Sequence, residues 1–221
     1  MTTQQKRKRI LFLGTPEFAV ASLERLLQDS RFEVVAVVSQ PDRPAGRKMQ
    51  LRPSPVKVLA LEKNIEVVTP LSVNTPEFLE KLKIWNAESA AVVAFGQILS
   101  QNFLNAFPLG CVNVHASLLP RWRGAAPIQR AVMGGDAETG VALQKVVRKL
   151  DAGDALGERR LVLTDEYEAQ RLHDELRVLG ADLLVNEYFE YLEGRQNGVV
   201  QDEAKVTVAP KIDKAEARVD R

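Results

Sequence analysis

The sequence predicts an α/β fold: a doubly wound, mostly parallel sheet flanked by helices. Three observations carry that expectation. Short apolar runs alternate with helical patterns along most of the chain, as successive βα units require. One run, Val34-Val35-Ala36-Val37-Val38, is apolar at every position rather than at alternate ones, as a central parallel strand covered on both faces must be. Thr-Pro pairs at 15–16 and 75–76 stand where two helices should begin, a capping residue followed by a residue whose φ suits the first turn.

The elements follow in order. Ile10-Leu11-Phe12-Leu13 is a buried strand ending at Gly14-Thr15-Pro16, with a helix from Glu17 to about Gln28 that Thr15 should cap. The Val34–Val38 strand leads into a long basic loop from Pro41 to Pro53. A helix over Pro55–Lys63, a short strand at Ile65–Val68 and a helix over Thr75–Ile84 come next. Ala90–Ala94 and Cys111–His115 are further strands, and Ala126-Pro127 opens a helix that Gly134-Gly135 closes. Val141–Val147 is a strand, Glu158–Leu163 an outer strand, and Tyr167–Glu193 a long amphipathic helix with Leu172, Leu176, Leu179, Leu183 and Tyr188 near one face. Right-handed crossovers then give a Rossmann-like sheet.

Composition bounds the classes. With 221 residues, 45% hydrophobic and 27% charged, the chain can bury a sizeable core as one large domain. No apolar run approaches the roughly 20 residues that span a bilayer, and the polar, basic first ten residues predict no secretory signal. One cysteine, Cys111, excludes an internal disulfide, suits the cytoplasm and reads as a small buried strand residue. The net charge of +1 says little about partners, but its positive groups cluster. Lys6–Arg9 reads as a solvated face, whereas Arg47 and Arg123 should lie in loops at the same sheet edge as Asn113 and His115, with Arg43 and Arg121 close to them in sequence.

That site is read from Asn113-Val114-His115-Ala116-Ser117-Leu118-Leu119-Pro120. On a strand, Asn113 and His115 point to one face and Val112 and Val114 to the other. Pro120 and the residues after it cannot continue the strand, so the polar pair sits near its end, where open α/β sheets place binding crevices. A carboxamide and an imidazole there can stabilise an oxyanion and move a proton. Gly14-Thr15-Pro16-Glu17 lacks the glycine spacing that brings a dinucleotide onto the backbone, and no P-loop lysine occurs. Two histidines and one cysteine offer no ligand set at zinc spacing, so no metal is expected. Leu150-Asp151-Ala152-Gly153-Asp154 forms a tight acidic loop.

Seven blocks in order, Phe12–Phe18, Gln40–Arg47 with Ser54–Lys57, Phe95–Leu99, Asn113–Pro127, Gly134–Val141 and Leu150–Asp154, resemble the methionyl-tRNA formyltransferase family, specifically its N-terminal catalytic domain. The resemblance implies the formyltransferase fold and transfer of a formyl group from 10-formyltetrahydrofolate to the amino group of methionyl-initiator tRNA. It makes Asp151 the carboxylate that completes a catalytic group with Asn113 and His115. It implies folate binding by Phe95, Gly96, Gln97, Ile98 and Leu99, by Ser117, Leu118, Leu119 and Pro120, and by the loop leading into Asp151; for Leu118 and Leu119 core packing serves equally well. It sets the Pro41–Pro53 loop against the acceptor end of the tRNA, with Arg47 as the matching arginine and Arg43, Arg121 and Arg123 beside it.

The sequence departs from the family at three places. Lys48 and Met49 follow Arg47 where relatives commonly have Gly-Lys-Lys. Gln144-Lys145-Val146-Val147-Arg148-Lys149 replaces a methionine-bearing, more acidic stretch. The second, C-terminal β-barrel domain of the family is absent, so residues 1–205 are expected to form the catalytic domain and 206–221 the start of a connection. The expectation is a cytoplasmic monomer that uses folate and initiator tRNA and no membrane. A sugar-nucleotide N-formyltransferase, a formyltetrahydrofolate hydrolase and a non-catalytic folate- or RNA-binding remnant are the alternatives.

Overall fold

The computed structural model describes residues 6–46, 49–164 and 167–217. Its strands are β1 (Lys8–Gly14), β2 (Phe32–Val38), β3 (Arg43–Ala45), β4 (Gln50–Arg52), β5 (Val67–Val68), β6 (Ser89–Val93), β7 (Cys111–His115), β8 (Arg123–Gly124), β9 (Glu138–Lys145), β10 (Ala155–Val162) and β11 (Val208–Ala209). The helices are α1 (Glu17–Gln28), α2 (Pro55–Glu62), α3 (Pro76–Trp85), α4 (Gln101–Leu104), α5 (Pro127–Met133) and α6 (Ala169–Leu192). Seven strands form one sheet in the order β10-β9-β7-β6-β1-β2-β5. The five from β7 to β5 run parallel, while β9 and β10 are antiparallel to their neighbours. From β1 the chain moves outward through β2 to β5, then returns to β6 on the other side of β1. The order therefore reverses between β1 and β6, and ligand crevices of open sheets form at such a reversal, outside the carboxyl ends of the strands.

Alternate strand residues feed two cores. Ile10 and Phe12 of β1, with Val112 and Val114 of β7, pack beneath α1, α2 and α6. Leu11 and Leu13, with Cys111, pack beneath α3, α4 and Phe107. Period two then puts Asn113 and His115 on the same side as Cys111, just past the reach of the four-residue α4.

Of the two predicted caps, Thr75 and Thr15, only Thr75 acts as one, and Ser54 supplies a cap that was not predicted. Ser54 and Thr75 accept from the backbone N–H of Lys57 and Phe78, with Pro55 and Pro76 in the first turns. Thr15 does not cap α1. Pro16 takes the cap position, and the Thr15 hydroxyl donates instead to the Phe95 carbonyl at 3.0 Å and accepts from the Gln40 N–H at 3.3 Å. It ties together the carboxyl ends of β1, β2 and β6. The basic run near the start is also more engaged than a solvated face. Arg7 donates to the Phe32 carbonyl, Lys8 pairs with Glu193, and Arg9 pairs with Glu33 and donates to the Trp85 carbonyl.

Residues 206–209, expected to begin a connection, are folded onto the domain. Ala209 is fully buried, β11 pairs in parallel with β8, and the Ala209 carbonyl accepts from Ala125 and Ala126. A strand that pairs its backbone and buries its side chain is part of the globule, whatever its place near the end.

Candidate functional site

The end of β7 is held between β6 and β9, with Asn113 opposite Val92 on one side and Gln144 on the other. His115 is 6% exposed. Its Nε2 lies 2.8 Å from the Trp122 carbonyl, which can only accept, so Nε2 carries the proton of the neutral ring. Its Nδ1 then faces Asp151 with a free lone pair, 3.7 Å from Oδ1. The approach is an ion pair only when that nitrogen is protonated. Asn113 is partly exposed, and among the described residues no hydrogen bond engages its carboxamide. Its N–H donors remain available.

Asp151 reaches the end of β7 because the loop after β9 folds back along the sheet. The backbone there is left-handed, with φ 48°, a conformation that aspartate tolerates better than most residues and that costs about 1 kcal/mol or more. Two donors hold the carboxylate: the Gly124 N–H at 3.0 Å from Oδ2 and Gln144 Nε2 at 2.9 Å from Oδ1. Gln144 is 2% exposed, and its Oε1 meets Nε2 of Gln201 at 3.3 Å. Trp122 also has a positive φ, 60°, secured by its backbone N–H on Thr207 Oγ1 and its indole N–H on Asp136. The sequence reading missed Gln144, Gln201 and the backbone of 122–124. Alternation opposite Asn113 could have indicated Gln144; nothing local marks Gln201.

The residues expected to contact folate divide by exposure. Phe95, Leu99, Ser117 and Leu119 are buried and support their loops from behind. The Phe95 carbonyl takes Thr15 and Gln40, and the Ser117 hydroxyl donates to the Arg121 carbonyl. Gln97 closes the loop onto Val73 and Pro70. Gly96, at φ 87°, and Ile98, 86% exposed, are presented outward. Leu118, Leu119 and Pro120 line an open groove of about 590 Å³ with Arg121 and Trp122, and none of Asn113, His115 and Asp151 lines that groove.

Of the four arginines, Arg43 is exposed on the β3–β4 hairpin opposite Arg52. Arg47 lies outside the described residues. Arg121 is exposed, paired with Asp136 and stacked 4.5 Å from the Trp122 ring centroid. Asp136 is thereby held below the usual carboxylate range, by the Arg121 hydrogen bond first and the Trp122 indole with it, against the opposing effect of burial. Arg123 corrects the expectation of a loop residue facing outward. It lies on β8, 4% exposed, with Nε on Gln201 and Nη1 on Glu203, because pairing of β8 with β11 turns its side chain inward. Cys111 is buried, and desolvation pushes its thiol up to about 12.

Comparison with known proteins identifies the family and the fold. The family model described as formyl transferase matches residues 8–187. A Bdellovibrio bacteriovorus protein named methionyl-tRNA formyltransferase is 59% identical over 213 residues, covering 96% of this chain and 67% of its own length. A Coxiella burnetii protein of the same name is 49% identical over 212 residues, with 96% and 67% covered. Among solved structures, glycinamide ribonucleotide transformylase 1 from Symbiobacterium toebii superposes with a TM-score of 0.75 at 17% identity, covering 91% of this chain and 96% of its own. An N-formyltransferase from Helicobacter canadensis gives 0.70 at 17%, with 93% and 71% covered. Likeness at that identity speaks for the fold alone. The chain belongs to the formyl transferase family, among the methionyl-tRNA formyltransferases, whose length it spans by about two thirds.

Proposed function

We propose that this chain transfers a formyl group from 10-formyltetrahydrofolate to the amino group of methionyl-initiator tRNA. The observation that carries the reading is the meeting of Asn113, His115 and Asp151 at the end of β7, in a chain whose relatives bear that enzyme's name. The amine attacks the formyl carbon, a C–N bond forms, and the carbonyl electrons move onto oxygen. Asn113 donates its N–H to that oxyanion, and His115, once protonated beside Asp151, adds a positive charge close by. The surplus amine proton passes to the Asp151–His115 pair, directly or through one water. Collapse of the intermediate breaks the bond to the folate nitrogen, and the proton follows to that nitrogen. Loss of one oxyanion donor costs about 100-fold or more.

Folate would be held by the loop Phe95–Leu99, the turn Ser117–Pro120 and the loop leading into Asp151. The outward Gly96 and Ile98 suit a flat, amide-edged ring, which needs backbone groups and an apolar wall. Arg43 on the β3–β4 hairpin and Arg121 beside the site would meet the tRNA, with Arg47, outside the described residues, assigned the same role by the sequence resemblance. Arg123 is assigned instead to support of the loop. The catalytic domain extends through Ala209 in this reading and works as a cytoplasmic monomer. Among the described residues no helix is long and apolar enough to cross a membrane.

The experiment supplies labelled formyl donor together with methionyl-tRNA, an amino-sugar nucleotide, or water alone. Label appearing on methionyl-tRNA is the expected result. Label only on the sugar, or only as free formate, would replace this reading with an alternative acceptor; binding of donor or RNA with no transfer would leave a non-catalytic module.

A further inference from the structure

We propose that Gln144, oriented by Gln201 and anchored on Arg123, is the positioning residue for the Asp151 carboxylate. The kinetic consequence deepens the formyl-transfer reading and rests on it; the contact itself does not.

Three buried side chains form a chain with a single sense of donation. Arg123, Gln201 and Gln144 are 4%, 7% and 2% exposed. A guanidinium has only donors, so Arg123 Nε, 3.0 Å away, compels Gln201 to turn its oxygen toward it. The amide nitrogen of Gln201 therefore faces the other way, where three acceptors wait: Oε1 of Gln144 at 3.3 Å, the Asp151 carbonyl at 3.0 Å and the Gly153 carbonyl at 2.6 Å. Two N–H groups serve these three acceptors, the approach to Gln144 being the longest, and with its oxygen on that side Gln144 presents N–H to Asp151 Oδ1, 2.9 Å away, a carboxylate oxygen that accepts. Reversing Gln144 would set oxygen against the Asp151 carboxylate and nitrogen against nitrogen, and reversing Gln201 would set its oxygen against the Asp151 and Gly153 carbonyls and its nitrogen against the guanidinium. A permanent charge thus fixes two amide orientations in succession, and hydrogen bonds in such a buried row polarise one another.

The carboxylate gains a defined plane. Gly124 holds Oδ2 and Gln144 holds Oδ1, so rotation about the Asp151 side chain breaks one or both bonds. The same grip accounts for the 3.7 Å gap to His115 Nδ1, too long for a hydrogen bond. Asp151 is kept beside the imidazole without closing onto it, which leaves a lone pair for the attacking amine or its water.

The test uses the full chain and Gln144→Met, similar in volume and lacking the donor, with Gln144→Glu as the same shape carrying a charge. Gln144→Met should lower kcat about 10-fold or more, because a misplacement on the order of 1 Å can cost about 100-fold, while KM for the formyl donor and the melting temperature stay close to wild type. Gln144→Glu should fall further through repulsion. Wild-type kcat in both variants, or a fall that merely follows lost stability, would overturn the role. The contact is read independently in 15N-labelled protein. The Gln144 side-chain amide pair, assigned by its loss in Gln144→Met, should shift in Asp151→Ala, and an unmoved pair overturns the contact. If the wild-type chain formylates no acceptor, the functional reading fails, and the amide resonance still decides the geometry.

Discussion

Gly153→Ala places the smallest possible obstacle in the loop that carries Asp151. A Cβ at 153 would lie 1.9 Å from the Lys145 carbonyl oxygen and 2.8 Å from its carbon. Both atoms are backbone of β9, itself bonded to β7 and β10, so they cannot yield as a side-chain tip would. The loop must open by about 1.5 Å to restore ordinary contact. Asp151 stands two residues away, and its carboxylate is held by bonds of 3.0 and 2.9 Å that such a shift would stretch past usefulness. The Gly153 carbonyl, 2.6 Å from Gln201, moves as well. Overpacking of this kind costs about 1–3 kcal/mol, or roughly 2–12 °C in melting temperature for a chain of this size. Displacing the carboxylate should cost about 100-fold in kcat. Gly194→Ala is the control. Gly194 follows α6 at φ 70° with no atom within 4 Å, so alanine there incurs only the left-handed penalty of about 1–2 kcal/mol and leaves kcat unchanged. Formyl transfer and thermal melting of both variants are the assay. Wild-type kcat in Gly153→Ala, with Gly194→Ala behaving as expected, would refute the claim that β9 fixes the loop.

Three further outcomes follow. Asn113→Ala, His115→Ala and Asp151→Ala should each remove most transfer activity with the fold intact by circular dichroism, and unimpaired turnover in any one removes it from the catalytic group. Asp136 protonates at lower pH when folded, so it stabilises above the unfolded carboxylate value of about 3.9, and that contribution is lost as pH falls through the depressed folded value. The stability difference between wild type and Asp136→Asn should accordingly shrink on acidification below about pH 4; a constant difference counts against the pairing with Arg121 and Trp122. Cys111, buried with its thiol pushed up to about 12, should resist alkylation at pH 8 until the chain is unfolded, and rapid labelling of native protein would show that β7 opens.

Much of the architecture is local enough to read along the chain. The unbroken apolar run at 34–38 marked a parallel strand correctly but not a central one: it is β2, between β1 and the edge strand β5, where Ala36, Val37 and Val38 are buried and Val34 and Val35 only partly so. Alternation at 111–115 separates Val112 and Val114 from Asn113 and His115, and the two cores divide along that line. Thr75 and Ser54 behave as caps because capping is settled within one turn. Thr15 fails as a cap because two strand ends distant in sequence offer its hydroxyl other partners.

The side of β7 on which an amide and an imidazole emerge was determined by sequence alone, because a strand's period is a property of the covalent backbone. Which carboxylate would stand beside them, and what would hold it, was decided by the tertiary structure. Gly124, Gln144 and Gln201 reach Asp151 only after β9 has reversed against β7 and the segment before β11 has closed over the loop. The inward turn of Arg123 has the same origin: its partners Gln201 and Glu203 are far along the chain, and hydrogen bonds between distant residues leave no periodic trace in the residues that make them.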